Sequence, residues 1–495
     1  MLKKIFESTV IMGTSSILVI LVDLVRVKII AVLLGPQGVG VLSVLNHFHT
    51  LAATLVGLGL GTGIVKYVST FNSQDNKEAV QKVLSNSFRI VFLFSSIVLV
   101  ASIFLSSRLS TWMLGEPGYA LFIIIYALSL PLAVYPITAN SFLQGLKRIK
   151  PLAKINVLRT SISLMFIIPL VFFFRLKGAV ISVLVITGVH LLLVGYYLRK
   201  EETRYRVIRW QRFDPELLKK LFQYGMTSLL VGTAYYLSHL VLKIIIVDSL
   251  GIEMNGIYQP IWALTMTYLT IVLSSMSAYS YPRLCELTSV RDITEELNAI
   301  LRVAVLMIMP VMFFLLLARR PIVYILYSSN FVPATEYMPI QILGDFFKVL
   351  FWALGMYLLP TKRLLGFIWL NLLQDVTLVV FAAFLIARYQ LHGITAAFAL
   401  SYLIAFLALY GYSKKQIGLS MWTMNRKLLT ASFGALLILI ISDMYLSLWP
   451  NIAVACPVIF IWGLLSIRKD EVLQLKSYIS DKLSKNPDLP GGKTL

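Results

Sequence analysis

Apolar segments long enough to cross a lipid bilayer recur from one end of this chain to the other. The hydrocarbon core of a bilayer is about 30 Å thick, and an α-helix needs about 20 mostly apolar residues to span it. Of the 495 residues, 58% are hydrophobic and 14% are charged, against about 25% charged in a typical soluble domain. A water-soluble core could not bury so many apolar segments, so the sequence predicts an all-α polytopic membrane protein.

Hydropathy and turn residues divide the chain into about fourteen predicted spans, which we number in chain order. The predicted spans are 10–34, 40–68, 84–106, 118–144, 152–174, 177–198, 220–248, 256–282, 298–318, 336–360, 364–387, 392–412, 428–448 and 451–467.

Lysine and arginine residues concentrate on one side of these spans. With a cytoplasmic N-terminus, the inner segments hold most of them, including the run Lys147-Arg148-Ile149-Lys150 and the stretch 199–220. Cytoplasmic loops of membrane proteins carry such an excess, which predicts that both termini are cytoplasmic. The formal net charge of +21 therefore reflects topology and contact with anionic lipid, and it does not indicate a nucleic-acid partner.

The sequence repeats itself at an offset of about 216 residues. LKKIF at 2–6 recurs as LKKLF at 218–222, and LGPQGVGV at 34–41 recurs as LGIEMNGI at 250–257. Spans 1–6 and 7–12 are therefore predicted to be two copies of one unit. Because six is an even number, the copies should run parallel, related by a pseudo-twofold axis along the membrane normal, with substrate bound between them.

This pattern predicts five regions of the chain. They are an N-terminal six-helix lobe at 1–198, a basic cytoplasmic linker at 199–219, a C-terminal six-helix lobe at 220–412, two extra helices at 413–467, and a basic cytoplasmic tail at 468–495. Asp214-Pro215 predicts a helix start, with a short surface helix that leads into span 7. GLGLGTG at 57–63 contains interleaved GxxxG pairs, which predict close packing or bending of span 2.

Sequence motifs of enzymes are absent. The chain contains no GxxxxGK[ST], HExxH or GxSxG, and its two cysteines are too few for a cysteine metal site. The predicted loops leave no room for an ATPase or a soluble catalytic domain. We therefore expect a transporter rather than an enzyme, without a cofactor, driven by a gradient, by the membrane potential or by another polypeptide.

The first span carries Asp23, Arg26 and Lys28. A charge at the bilayer centre costs about 2.5–3.5 kcal/mol on insertion scales, so such residues need a reason. At 100° per residue, Asp23 and Arg26 lie about 60° apart and can pair on one face, whereas Lys28 points elsewhere. The prediction is that Arg26 faces a water-filled cavity with Asp23 as its partner, while Lys28 either binds ligand or extends to the membrane surface.

Further charged residues lie at membrane depth. Span 5 carries a stripe formed by Asn156, Arg159, Thr160 and Ser163. Span 7 has His239 and Lys243 one turn apart; span 10 has Asp345 and Lys348, spaced like Asp23 and Arg26; span 11 has Asp375. Such pairs also occur as structural ion pairs that lock helices together.

When the charged residues near the membrane surfaces are left out, the predicted spans hold more cationic than anionic side chains within the membrane. This excess of positive charge suits an anionic ligand such as a phosphate. The predicted substrate-binding residues are Arg26, Lys28, Arg159, Lys243 and Lys348, and the predicted ion-pair or coupling residues are Asp23, Asp345, Asp375 and His239.

Two stretches resemble a known family. ILYSSNFVPATEYMPIQILGDFFKVLFWALGMYLLPTKR (325–363) resembles the GD-x-x-K-V region of Wzx-type O-antigen translocases. LLGPQGVGVLSVLNHFHTLAATLVGLGLGTGIVKYVS (33–69) resembles the first helical hairpin of the same proteins. They belong to the multidrug/oligosaccharidyl-lipid/polysaccharide (MOP) exporter superfamily, which includes the MATE transporters.

The resemblance implies a V-shaped pair of six-helix bundles in the bacterial cytoplasmic (inner) membrane. Such proteins move undecaprenyl-diphosphate-linked oligosaccharide to the outer leaflet by alternating access. By the same resemblance, Arg26, Lys28, Arg159 and Lys243 would contact the diphosphate or acidic sugars in the cavity. The implied partners are the lipid-linked glycan and membrane lipid, with a polysaccharide polymerase and a chain-length regulator as further candidates.

Fourteen spans depart from the twelve usual in this family and resemble the peptidoglycan-precursor flippases. Three alternatives remain open: a drug or cation exporter of the same superfamily, a membrane glycan polymerase or glycosyltransferase, and a scaffold for a glycan assembly complex. The cationic surplus disfavours the first, and the short, charge-poor outer loops disfavour the second.

Overall fold

The computed structural model describes residues 2–201, 213–446 and 448–466. Within these ranges the chain is helical and contains no β-strand. The helices are α1 (Leu2–Gly57), α2 (Leu60–Ser73), α3 (Lys77–Leu114), α4 (Ala120–Gly145), α5 (Ile149–Glu201), α6 (Pro215–Leu250), α7 (Ile252–Glu286), α8 (Val290–Leu326), α9 (Met338–Gly355), α10 (Leu364–Ile417), α11 (Thr423–Tyr445) and α12 (Leu448–Ser466), with short 3₁₀ turns at Pro117–Tyr119 and Ser329–Glu336.

Three of the long helices contain a sharp break. The backbone leaves the helical region at Gly35 in α1, at Arg175 in α5 and at Gln390 in α10. Each break lies at a predicted boundary between successive spans, so each of these helices contains parts of two spans. Every predicted span overlaps a helical segment of the structure. In the described ranges, nine helices are long and apolar enough to cross a membrane, which confirms an all-α polytopic membrane fold.

The internal repeat is visible in the backbone. Lys147 and Lys362 have φ angles of 59° and 58°, and Arg175 and Gln390 have φ angles of 50° and 49°. Side chains other than glycine rarely adopt this left-handed region, because the Cβ atom then crowds the backbone. The second member of each pair follows the first by 215 residues, the same offset as the repeat in sequence. The exact limits of the two six-helix lobes stay a prediction.

A reciprocal helix crossing relates the two copies. A Cβ atom at Gly40 would collide with the carbonyl oxygen of Ile252, and a Cβ atom at Gly256 would collide with the carbonyl oxygen of Pro36. Gly40 corresponds to Gly256 and Pro36 to Ile252 at the repeat offset. Such reciprocal contacts are what a twofold-related pair of surfaces makes. Asn255 closes the crossing, since its Nδ2 donates to the Gly40 carbonyl at 2.9 Å.

The GxxxG segment both bends and packs closely, as predicted. The chain turns between α1 and α2 through Leu58 and Gly59, whose φ angles are 49° and 66°. Gly59 then meets Gly225 of α6 backbone to backbone, with no room for a Cβ atom on either residue. Span 2 therefore consists of two helical pieces, and the second piece is held against α6.

Asp214 caps α6, as its sequence predicts. Its side chain accepts a hydrogen bond from the Leu217 N–H at 3.0 Å, and Pro215 occupies the first turn. The prediction of a separate surface helix at this point is wrong, because α6 continues unbroken to Leu250. Most of the predicted linker (199–219) and the whole predicted tail (468–495) lie outside the described residues.

The chain divides into two compact units. The first unit comprises Met1–Leu264, Arg320–Gln341 and Arg363–Ala405, and the second comprises Thr265–Arg319, Ile342–Lys362 and Phe406–Leu495. The first unit contains the whole first repeat copy and part of the second, whereas the second unit contains the rest of the second copy together with the extra C-terminal helices. The boundary between the units therefore differs from the boundary between the repeat copies.

Within the second unit, α8 binds the two extra helices at both ends and in the middle. At one end, Asn425 Nδ2 donates to Asn298 Oδ1 at 3.0 Å. In the middle, the Phe313 and Trp462 rings meet edge to face with centroids 5.3 Å apart. At the other end, an Arg319 nitrogen lies 2.5 and 2.6 Å from the two carboxylate oxygens of Asp443. These contacts fix α11 and α12 along the length of α8.

Candidate functional site

The first unit contains a cavity of about 240 Å³, lined by both apolar and polar side chains. Its wall is formed by α1, α4, α5, α7 and Tyr327, which lies between α8 and the following 3₁₀ turn. The lining residues are Arg26, Val27, Ile30, Val39, Leu42, Ser43, Asn46, Tyr126, Ile167, Ala179, Ser182, Val183, Ile186, Gln259, Ala263 and Tyr327.

The first-span charges separate as helical geometry predicts. Arg26 lines the cavity, and its guanidinium lies 3.2 Å from the Asp23 carboxylate. Both side chains are about a third exposed, at 35% and 39%, so neither is sealed in the protein. Lys28 points elsewhere: its Nζ donates to the Tyr324 carbonyl at 2.8 Å, and Lys28 does not line the cavity. The pair leaves Arg26 only partly neutralised at the cavity wall.

The charge of Arg159 interacts with the charges of Asp23 and Arg26. The Nε of Arg159 is buried and makes no hydrogen bond with any residue that the structure describes. Thr160 and Ser163, which share its predicted stripe, donate instead to carbonyl oxygens of their own helix. Within the stripe, Arg159 is therefore a charged residue with unused donor capacity.

Lys243 is buried and does not line the cavity. Only 1% of the residue is exposed, and its Nζ donates to Oε1 of Gln259 at 3.0 Å. The ammonium also lies 5.7 Å from the centre of the Tyr258 ring, a favourable cation–π arrangement. Gln259, by contrast, lines the cavity. Lys243 thus lies behind the cavity wall and binds one of the residues that form it.

His239 and Asp375 lie in one buried polar cluster. The His239 ring packs between Tyr235 and Trp262, with both ring centroids 4.3 Å away. Ser238 donates to Asp375 Oδ1 at 3.0 Å, and its oxygen lies 3.2 Å from Nδ1 of His239. Ser238 therefore connects the two titratable groups.

Asp345 and Lys348 belong to the second unit. The Asp345 carboxylate is fully buried and accepts hydrogen bonds from Thr265 at 3.0 Å and Tyr268 at 2.5 Å. Lys348 Nζ lies 3.8 Å from the Met266 sulfur. The other seven predicted site residues lie in the first unit. No group of three potential metal ligands occurs in the described part of the chain.

The neutral polar residues of the cavity were not predicted from the sequence, because the prediction rested on charged and titratable residues. Gln259, Asn46 and Tyr126 line the cavity beside Arg26. The repeat carried an unused signal, because Gln259 follows Ser43 by the repeat offset of 216 residues and both line the cavity. Polar residues at equivalent positions of two apolar helices could have indicated a shared wall.

Residues 29–336 match the family model described as "Polysaccharide biosynthesis protein". This range is more than half of the chain. The chain belongs to this family. This membership confirms the family resemblance stated from the sequence.

The chain is also similar to individual proteins with assigned names. It is 23% identical over 383 residues to the Lipid III flippase of Escherichia coli (strain K12), covering 77% of this chain and 91% of that protein. The Lipid III flippase of Shigella flexneri matches equally well.

Solved structures share the fold. An inward-facing multidrug resistance MATE family transporter of the MOP superfamily gives a TM-score of 0.72 at 16% identity, covering 81% of this chain and 94% of its own. The Lipid II flippase MurJ in an inward closed conformation gives 0.65 at 15% identity, covering 93% and 98%. The fold is that of the MOP superfamily.

Proposed function

We propose that this protein is a flippase that moves undecaprenyl-diphosphate-linked oligosaccharide across the bacterial cytoplasmic membrane by alternating access. The observation that carries the proposal is a cavity within a membrane fold that presents the charged side chain of Arg26 on its wall. A guanidinium at membrane depth is costly, and it marks a substrate pathway more often than a structural contact.

The electrostatics around Arg26 favour an anionic ligand. Asp23 offsets one positive charge, while Arg159 adds a second guanidinium within reach of the same pair. Arg159 does not line the cavity, so its buried, unbonded Nε would bind a phosphoryl oxygen only after a rearrangement that exposes it. Guanidinium groups bind phosphate oxygens through short, charge-assisted hydrogen bonds.

The relatives support the choice of substrate class. Two are named for flipping lipid III and a structural neighbour for flipping lipid II. A lipid-linked diphosphate would place its charge in the cavity while its lipid tail stays in the membrane. A polymerase and a chain-length regulator are proposed partners that would receive the exported unit.

We propose that buried titratable side chains couple substrate transport to an energy source. We place His239 and Asp375, which Ser238 connects, in that role, together with Asp345 of the second unit. Both termini and the basic loops are proposed to face the cytoplasm, in agreement with their lysine and arginine content.

A drug exporter is the second candidate, because a multidrug MATE transporter shares the fold. Cationic drugs require acidic or aromatic surroundings, and Arg26 at the cavity wall would repel them. An assay that offers a cationic dye as well as a lipid-linked glycan separates the two functions.

Replacing Arg26 by alanine tests the proposed flippase. Arg26→Ala should leave the protein in the membrane while surface glycan disappears and lipid-linked glycan accumulates on the inner leaflet, because the main phosphate-binding charge is gone. Arg108→Ala, an exposed arginine of α3, is the control and should support normal glycan export. Normal surface glycan in the Arg26→Ala strain would contradict the assignment of Arg26. Failure of a deletion strain to accumulate lipid-linked glycan would contradict transport itself.

A further inference from the structure

The buried ammonium of Lys243 turns the Gln259 amide toward the cavity. We propose that Gln259 is a specificity-determining donor to a phosphoryl oxygen of the substrate, and that Lys243 is the residue that positions it. This inference rests on the proposed flippase function and names the chemical group that the cavity wall recognises.

The orientation follows from donor chemistry. A lysine ammonium has three donors and no acceptor, so the atom of Gln259 that it contacts at 3.0 Å must be the carbonyl oxygen. The amide nitrogen then lies on the opposite side of the same planar group. In the part of the chain that the structure describes, no residue accepts a hydrogen bond from this nitrogen. Because Gln259 lines the cavity and is partly exposed, its two amide donors remain for a ligand.

The ammonium also strengthens those donors. A hydrogen bond from a charged group polarises the amide, and polarisation is larger in a medium of low dielectric constant than in water. Lys243 is almost completely buried, so its charge acts on Gln259 with little screening. Lys243 therefore contributes to ligand binding without touching the ligand.

The hydrogen bonds of the neighbouring polar side chains determine which donors remain available to a ligand. The Tyr126 hydroxyl donates to Oδ1 of Asn46 at 3.2 Å, which leaves the Asn46 amide donors for the cavity. Ser43 is engaged elsewhere: it donates to the Gly40 carbonyl at 2.9 Å and accepts from Asn255 at 2.8 Å. Ser182 donates to the Ala179 carbonyl at 2.6 Å. The unused donors on this wall therefore include the amides of Gln259 and Asn46 and the Arg26 guanidinium.

A surface of donors selects an acceptor-rich group. Phosphoryl oxygens only accept and can use the amide and guanidinium donors of this wall together, whereas sugar hydroxyls also need acceptors, of which the wall has fewer. The diphosphate of the lipid carrier is therefore the part of the substrate that this wall fits.

A double-mutant cycle tests whether Lys243 acts through Gln259. The protein in phosphatidylcholine nanodiscs is titrated with farnesyl diphosphate, and with farnesol as the uncharged match. Lys243→Met should weaken farnesyl diphosphate binding about tenfold, as expected for one lost charge-assisted contact, and Gln259→Ala should have a similar effect. In the Gln259→Ala background, Lys243→Met should then change the affinity less than about twofold. A second tenfold loss in that background would overturn the positioning role, since Lys243 would then act on the ligand directly.

Folding controls keep the test decisive. Replacing a buried charge by an apolar side chain of similar length is often neutral or stabilising, so Lys243→Met should melt no lower than the parent protein. Lys66→Met removes a lysine charge from an exposed position of α2 and should bind farnesyl diphosphate normally. Gln259→Glu provides an independent variant, because it retains a partner for Lys243 but replaces the donors by a carboxylate oxygen. It should melt like the parent and lose farnesyl diphosphate binding; parental affinity would overturn the inference.

The outcomes separate this inference from the proposed function. If the parent protein binds farnesyl diphosphate no better than farnesol, the proposed function fails. If the parent protein prefers farnesyl diphosphate to farnesol but the affinity losses caused by Lys243→Met and Gln259→Ala multiply in the double variant, only the inference fails. A competition arm with phosphatidylglycerol distinguishes the source of the phosphate: undiminished farnesyl diphosphate binding supports the substrate carrier, whereas displacement assigns the site to a lipid headgroup and overturns the inference.

Discussion

The arginines of this protein differ in what binds their guanidinium groups. Arg302 is buried and donates to the Ser466 carbonyl at 2.8 Å, which connects α8 to α12. Arg159 has a buried Nε without a hydrogen bond among the described residues. An unsatisfied buried donor lowers stability, whereas a satisfied one raises it. Residues kept at such a cost are candidates for ligand binding.

A pair of arginine-to-methionine substitutions distinguishes the two roles. Arg159→Met should leave the melting temperature equal to or above that of the parent while glycan export falls at least tenfold, because the lost group binds ligand rather than protein. Arg302→Met should lower the free energy of unfolding by about 1–3 kcal/mol, since it removes a charged hydrogen bond within the fold. Thermal unfolding and an export assay check both. A large stability loss in Arg159→Met would assign that residue to the fold.

At the scale of helices, an ion pair joins α8 to α11. Arg319 and Asp443 are 10% and 17% exposed, and Asn451 of α12 donates to Asp443 at 3.1 Å. Breaking one partner of a buried pair leaves an uncompensated charge, which is more harmful than removing both. This pair is therefore one of the contacts that hold the extra helices on α8.

Asp443→Asn should lower the free energy of unfolding by about 3–5 kcal/mol if the pair behaves as a buried one. The double variant Arg319→Met/Asp443→Leu should recover much of that loss, since no charge is left unpaired. Glu296→Gln, which breaks the more exposed contact between Glu296 and Arg283, is the control and should cost less than about 1 kcal/mol. Denaturation in detergent measures all three. Equal losses for Asp443→Asn and Glu296→Gln would contradict the prediction.

The contact between Gly59 and Gly225 gives a second test at this scale. Gly225→Ala places a methyl group against the Gly59 backbone, so the helices must separate, at a cost of about 1–3 kcal/mol. Gly188→Ala meets nothing within 4 Å and should be neutral or stabilising by up to about 1 kcal/mol. Melting temperatures of the two variants provide the measurement, and identical shifts would argue against the close contact.

At the scale of the whole molecule, native cysteines report the orientation in the membrane. Cys285 is exposed and lies in the last turn of α7, on the side predicted to be cytoplasmic. In a Cys456→Ser background, a membrane-impermeant maleimide should label Cys285 in inverted membrane vesicles and leave it unlabelled in intact cells. Labelling in intact cells would reverse the predicted orientation, and detergent-solubilised protein serves as the positive control.

Periodicity and composition were sufficient for the helices and for the repeat. The breaks at Gly35, Arg175 and Gln390 lie at predicted span boundaries, because long apolar runs and turn residues are local signals. The pairing of Asp23 with Arg26 was equally accessible, since two residues of one helix have a fixed angular separation.

The cavity itself was not predictable in this way. Lys243 and Gln259 are on different helices, and which group turns toward the ligand depends on how those helices pack. The prediction of a separate surface helix before span 7 was wrong for a related reason. Capping residues mark where a helix begins, but they do not determine where it ends.

The sequence by itself thus determined the membrane fold, the repeat and the charges within single helices, because hydrophobic burial and helical geometry act over short stretches of chain. Only the tertiary structure decided that Lys243 is buried behind Gln259 and that Arg26, Asn46 and Gln259 share one wall. Those arrangements depend on contacts between residues far apart in the sequence, and the contacts exist only once the helices have packed.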